Sequence, residues 1–107
     1  MISFNDKLKV FNTDLKGKFC IEIEFKIKDN YKYNDCWMGK LPDKKTKNDV
    51  LWFGLLSDGT AGYYYLTFKD MYSAPVFDGN SLYELWERVS INSIDGCDPE
   101  DRIGDYL

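Results

Sequence analysis

The side chains of this chain best equipped for chemistry are three cysteines, two neighbouring glutamates, a C-terminal acidic cluster and a run of three tyrosines. No His occurs in its 107 residues. Imidazole activation of a serine or cysteine is therefore unavailable from this chain, as is the commonest nitrogen ligand for zinc. Cys20, Cys36 and Cys97 make an odd set without CxxC spacing. A thiolate at Cys36 would need a lysine or a helix start beside it, and a buried structural thiol is the simpler reading. Zinc would need a fourth ligand and a rare spacing. Glu22 and Glu24 point the same way from one alternating stretch, about 6–7 Å apart by strand rise. Such pairs can hydrolyse glycosides. Here Lys26 and Lys28 share the polar face, and nothing there raises a carboxyl pKa as acid catalysis requires. Asp95, Asp98, Glu100 and Asp101 lack the alternate-position spacing of a calcium loop and read as helix-capping acids. Gly54, Gly59 and Gly62 surround a turn, but no Gly-Lys-Ser/Thr follows them. These readings imply no metal, no cofactor and no catalytic residue.

The Tyr63-Tyr64-Tyr65 run is a different kind of signal. On a strand, two of the three must face opposite the third. If one set lines a core, the other is presented to solvent. Exposed aromatics on a sheet stack bases or anchor a protein partner, since Tyr and Trp are enriched at interface hot spots. Packing under a second layer is the competing explanation for the run.

Charge helps to choose between partners. The net charge is −4, with a pI near 4.7, which disfavours nucleic acid because phosphate binding needs Lys and Arg. Residues 1–50 carry eleven Lys against eight Asp/Glu, while residues 51–107 carry three basic and ten acidic residues. The acidic half suits a basic partner, although acidity also serves solubility. The Lys44, Lys45 and Lys47 cluster reads as a solvated loop. Aromatic residues form 17% of the chain, more than a core of this size can fully bury, so some Tyr surface is expected to stay open.

The elements that position these residues follow from periodicity. Residues 19–28 alternate apolar and mainly polar, placing Phe19, Ile21, Ile23, Phe25 and Ile27 on a core face. One polar face implies an antiparallel sheet covered on one side. A short strand at 8–11 and a turn at Asp14–Gly17 precede it. Asp29-Asn30 suits a two-residue hairpin, with the chain returning over 31–38 and a loop from 41 to 49. Residues 50–56 are apolar on both faces, as in a central strand. After a turn at 57–60 the chain returns over 63–68. Tyr64, Leu66 and Phe68 then share one face, and Tyr63, Tyr65 and Thr67 the other.

Beyond the turn Asp78-Gly79 the period changes. Ser81 and Glu84 form a capping box, and Leu82, Leu85, Trp86 and Val89 make a helical stripe, so a helix is expected over 81–89. A last strand at 90–94 ends at Asp95-Gly96. Asp98 and Pro99 then open a short C-terminal helix, with Ile103 and Leu107 as anchors.

The chain is thus read as one α+β domain spanning residues 1–107. A curved antiparallel sheet of five to six strands is packed by one helix near 81–89, with a short C-terminal helix. No stretch approaches a membrane span or a signal peptide, and the expected compartment is the cytoplasm. Size, acidity and aromatic load resemble those of small bacterial proteins that neutralise a toxin or enzyme by masking its surface, a likeness of composition alone. The leading expectation is a non-catalytic protein-binding module, of inhibitor or immunity type, contacting its partner through Tyr63, Tyr65, Asp58, Tyr72 and Asp78. Two other classes stand beside it. One is a small enzyme using carboxylate or Tyr chemistry; the other is a small-ligand or single-stranded nucleic-acid binder on an aromatic sheet face. A homodimer through an edge strand such as 90–94 is a further expectation.

Overall fold

Strand β1, Ile21–Ile27, carries the alternation into three dimensions: Ile21, Ile23, Phe25 and Ile27 are buried, while Glu22 and Lys26 are exposed. The computed structural model describes residues 4, 21–42, 49–56 and 62–102. The expected features at 8–11, 14–17, 43–48 and 57–60, with Phe19, Cys20, Ile103 and Leu107, lie outside the described residues. Around β1 the chain builds one five-stranded antiparallel sheet in the order β4-β3-β2-β1-β5. The further strands are β2, Cys36–Pro42; β3, Asp49–Gly54; β4, Gly62–Tyr65; and β5, Val89–Ile94. Short helices complete an α+β fold.

The return after β1 starts later than the hairpin reading placed it. Asn30 Oδ1 accepts the backbone N–H groups of Lys32 (2.9 Å) and Tyr33 (3.2 Å). A side chain that occupies those amides competes with a strand ladder. The return is therefore delayed to Cys36, and β2 runs through Leu41 and Pro42, where a loop was expected. Tyr31 is thrown outward while Tyr33 turns into the core. Its ring meets Phe77 at 5.3 Å, edge to face, and Phe77 also meets Phe53 (5.6 Å) and Phe25 (6.3 Å).

The return strand expected over 63–68 is also shorter than read. It stops at Tyr65, and Phe68 opens helix α1, Phe68–Ser73. Thr67 Oγ1 caps that helix by accepting the Asp70 N–H at 3.1 Å. Phe68 and Met71 of α1 are buried over the inner face of the sheet, with Phe77 and Leu82 beside them.

The capping box is formed in both directions. The Ser81 N–H donates to Glu84 Oε1 (3.0 Å), and the Glu84 N–H donates to Ser81 Oγ (3.1 Å). The segment then tightens into a 3-10 turn, Trp86–Arg88, rather than continuing as an α-helix. The reason is spatial: Val89 must already lie beside Ile27 as the first residue of β5. Turns at Asp78-Gly79 and Asp95-Gly96 form as expected. Both residues of each pair have positive φ, as a two-residue hairpin turn requires. Helix α2, Pro99–Arg102, follows, with Asp98 Oδ1 accepting the Asp101 N–H at 3.3 Å.

Candidate functional site

The register sorts the sheet residues into two faces. Opposite Ile21, Ile23 and Phe25 on the inner face stand Lys40, Met38 and Cys36, then Leu51 and Phe53, then Tyr65 and Tyr63. On the outer face two rows cross the sheet in step. One runs Glu24, Trp37, Gly54, Gly62; the next runs Glu22, Gly39, Trp52, Tyr64.

The outer rows are shaped by glycine. A Cβ on Gly39 would sit 2.3 Å from the Ile21 carbonyl oxygen and 2.6 Å from the Trp52 ring. Gly39 is therefore the seat on which the Trp52 indole lies. Among the described residues, the nearest atoms to such a Cβ at Gly54 belong to Trp52 and Trp37, at 3.9 and 4.0 Å, and at Gly62 only the Phe53 carbonyl comes within 4.0 Å. Gly54 and Gly62 therefore carry no crowding side chain among the described residues, and their row lies beside that of Tyr64 and Trp52. The buried Trp52 Nε1 donor meets no acceptor among the described residues.

The two edges of the sheet differ. Strand β5 is blunted: Ser93 pairs with Glu24 and Ile91 with Phe25, leaving Asn92 as an extra, bulged residue. The bulge also re-phases the strand, so that Val89 and Ile94 both reach the core. Strand β4 has no such device. It reads Gly-Tyr-Tyr-Tyr, with no charge, no proline and no bulge, and it pairs only with β3 among the described residues. Tyr64 is 75% exposed and the following Leu66 77%. Bulges, charges and prolines are how sheets protect an edge, and an apolar edge without them is a pairing template.

The residues singled out from sequence fall in different places. Tyr63 and Tyr65 share the inner face; Tyr63 is 37% exposed, while the Tyr65 ring packs on Phe53 at 6.0 Å. Burial, then the neighbouring Tyr63, raises the Tyr65 phenol pKa. Tyr72 is half-buried among Phe68 (5.1 Å), Phe4 (5.2 Å) and Tyr83 (5.8 Å). Asp58 lies outside the described residues. Asp78 is tied to the loop between β1 and β2, accepting from Lys32 Nζ at 2.7 Å and from the Tyr33 hydroxyl at 3.1 Å. Its bond with Lys32 holds its carboxyl below the ordinary range. Tyr63 and Tyr65 are therefore together on β4, and Asp78 serves a separate clasp. Sequence reasoning placed Tyr64 and Leu66 on one face without choosing them as contacts, and it did not choose Trp37 or Trp52 either. Their common surface depends on cross-strand register, which one strand's pattern does not reveal.

The groups suited to nucleophilic or metal chemistry are placed otherwise. Cys36 is buried, its Sγ 3.4 Å from the Leu55 carbonyl. Burial, with the charge of Asp35 adding to it, pushes its pKa up to about 12, so it is a thiol at neutral pH. Among the described residues no three His, Cys, Asp or Glu side chains gather as a metal site, and no helix is long and apolar enough to cross a membrane. No family model, curated protein or solved structure matches the chain. Among the described residues, fold and surface define an α+β domain with a bulged β5 edge and a β4 edge that carries no bulge, charge or proline.

Proposed function

We propose that this protein is a non-catalytic protein-binding module that takes an extended segment of its partner along β4. The observation that carries the reading is the β4 edge, which among the described residues is uncharged and pairs only with β3, with Tyr64 and Leu66 exposed beside it. Main-chain hydrogen bonds to an added strand supply affinity in this mode, and alternate side chains supply specificity. Tyr64 and Leu66 serve as the apolar anchors, and Tyr63 as a half-open contact at the inner rim. An inhibitor or immunity-type role, in which the module masks a partner surface, is the biological form this mechanism suits. A reducing cytoplasm suits it as well, since Cys97 is an exposed free thiol.

The test is affinity capture from the native cell, comparing the wild type with a Tyr64→Asp/Leu66→Asp variant, followed by hydrogen exchange on the recovered complex. The expected result is a partner lost by the variant and slowed exchange of amides 62–65. A partner retained by the variant, with unchanged exchange along β4, would move the binding function elsewhere.

A further inference from the structure

Where β1 ends, the chain turns through the loop to β2 and bounds an open hollow of about 650 Å³, lined in part by Lys26, Lys28, Asp29, Asn30, Tyr31 and Asn34. That size lies within the range of small-molecule sites. Strands β2 and β3 stand between it and β4. Lys26 and Lys28 are two residues apart on the polar side of the chain, about 6–7 Å along the strand direction, and both are exposed. Neither ammonium has a hydrogen-bond or ion-pair partner among the described residues. The nearby Glu24 carboxylate accepts from Ser93 Oγ on β5 at 3.5 Å. The Arg88 guanidinium donates to the Lys28 carbonyl at 2.8 Å, bringing a third cation to this end of β1. Asn30 is held in one orientation, because its Oδ1 accepts from the Lys32 and Tyr33 amides. Its Nδ2 therefore points away from that backbone as a fixed donor. Tyr31 is 94% exposed, so both faces of its ring are open.

We infer that this hollow binds a small phosphate monoester carrying a planar ring, with the phosphate between Lys26 and Lys28 and the ring stacked on Tyr31. A phosphate monoester carries a charge of about −1.5 to −2 at neutral pH, which two ammoniums match and a single carboxylate does not. Lysine binds phosphate as a point charge and needs no fixed fork geometry. An open aromatic ring stacks on aryl and nucleobase rings alike, so aryl phosphates and nucleoside monophosphates share the required chemistry. Asp29, the one acid among these lining residues, opposes the ligand's charge. The chain's net charge of −4 disfavours a long polyanion, which leaves a small dianion as the fitting occupant. This ligand site is separate from strand addition at β4.

The experiment titrates the full chain, in phosphate-free buffer at neutral pH, with phenyl phosphate, adenosine monophosphate, inorganic phosphate and benzoate. Amide NMR shifts are followed. The expected result is that a ring phosphate shifts residues 26–34 and binds about tenfold more tightly than inorganic phosphate, as a stacked ring contributes. The tighter of the two ring phosphates names the ring's source. Tyr31→Ala should bring both down to the level of inorganic phosphate. Lys26→Gln/Lys28→Gln should abolish the shifts and leave the rest of the spectrum unchanged, since both side chains are exposed. Asp29 has φ 60, a conformation asparagine also adopts, so Asp29→Asn should keep the fold and tighten binding several-fold. Absence of shifts at 26–34 would overturn the site, as would unchanged binding by the double lysine variant. Benzoate binding as tightly as phenyl phosphate would overturn the phosphate preference, and inorganic phosphate matching both ring compounds would overturn the role of Tyr31. None of these variants touches β4, so strand addition stands or falls by its own capture experiment.

Discussion

Cys36 shows how burial alone decides what a reactive residue does. Its thiol holds its proton up to about pH 12 in the folded chain, whereas the ordinary thiol value is 9.0. The unfolded state therefore loses the proton first as pH rises. The stabilising contribution is complete below about pH 9 and is lost between there and about pH 12. Urea midpoints are expected to fall across that window, and Cys36→Ala should flatten the fall relative to wild type; identical slopes would contradict it. In a Cys20→Ser background, a thiol reagent at neutral pH should find Cys97 quickly and Cys36 only on unfolding. The burial of Cys36 was expected because unpaired cysteines are among the most buried residues. The role of Asp78 was not, because Lys32 and Tyr33, which hold its carboxylate, lie 46 and 45 positions away.

Secondary-structure elements show where local pattern suffices and where packing overrides it. The alternation in β1 and the turn chemistry of Asp78-Gly79 and Asp95-Gly96 depend on adjacent residues and were readable. The capping box was readable too, and Ser81→Ala is expected to cost about 1 kcal/mol in chemical denaturation. Glu84→Gln should cost less, since its amide oxygen still accepts the Ser81 N–H. The stripe Leu82, Leu85, Trp86 and Val89 correctly named residues that pack inward. Its helical period broke because β5 claims Val89. Helix α1 was missed because the aromatic-rich run from Tyr63 to Phe68 has strand propensity throughout. The Thr67–Asp70 pair, a cap with an acid three residues on, was the available signal. The bulge at Asn92 has no sequence signature, since it exists only against Glu24 and Phe25 of another strand.

At the scale of the whole molecule, the sheet is held at its middle by close approach. Gly39 lies on the central strand, pressed by β1 backbone on one side and by Trp52 of β3 above it. Gly39→Ala is expected to destabilise by about 1–3 kcal/mol, as overpacking does. Gly54→Ala, whose added carbon meets only ordinary contacts, should be neutral or gain up to about 1 kcal/mol from reduced backbone freedom. Equal losses for both in urea unfolding would refute this account of the outer face. The candidate surface was partly legible: the tyrosine run drew attention to β4, but the Trp-Gly rows emerge only when three strands are set in register. The unlike edges would also set a limit on self-association. Among the described residues β4 is the edge without a bulge, so two copies meeting through it would leave only bulged margins outside. Such growth terminates at a closed pair instead of running on into a filament.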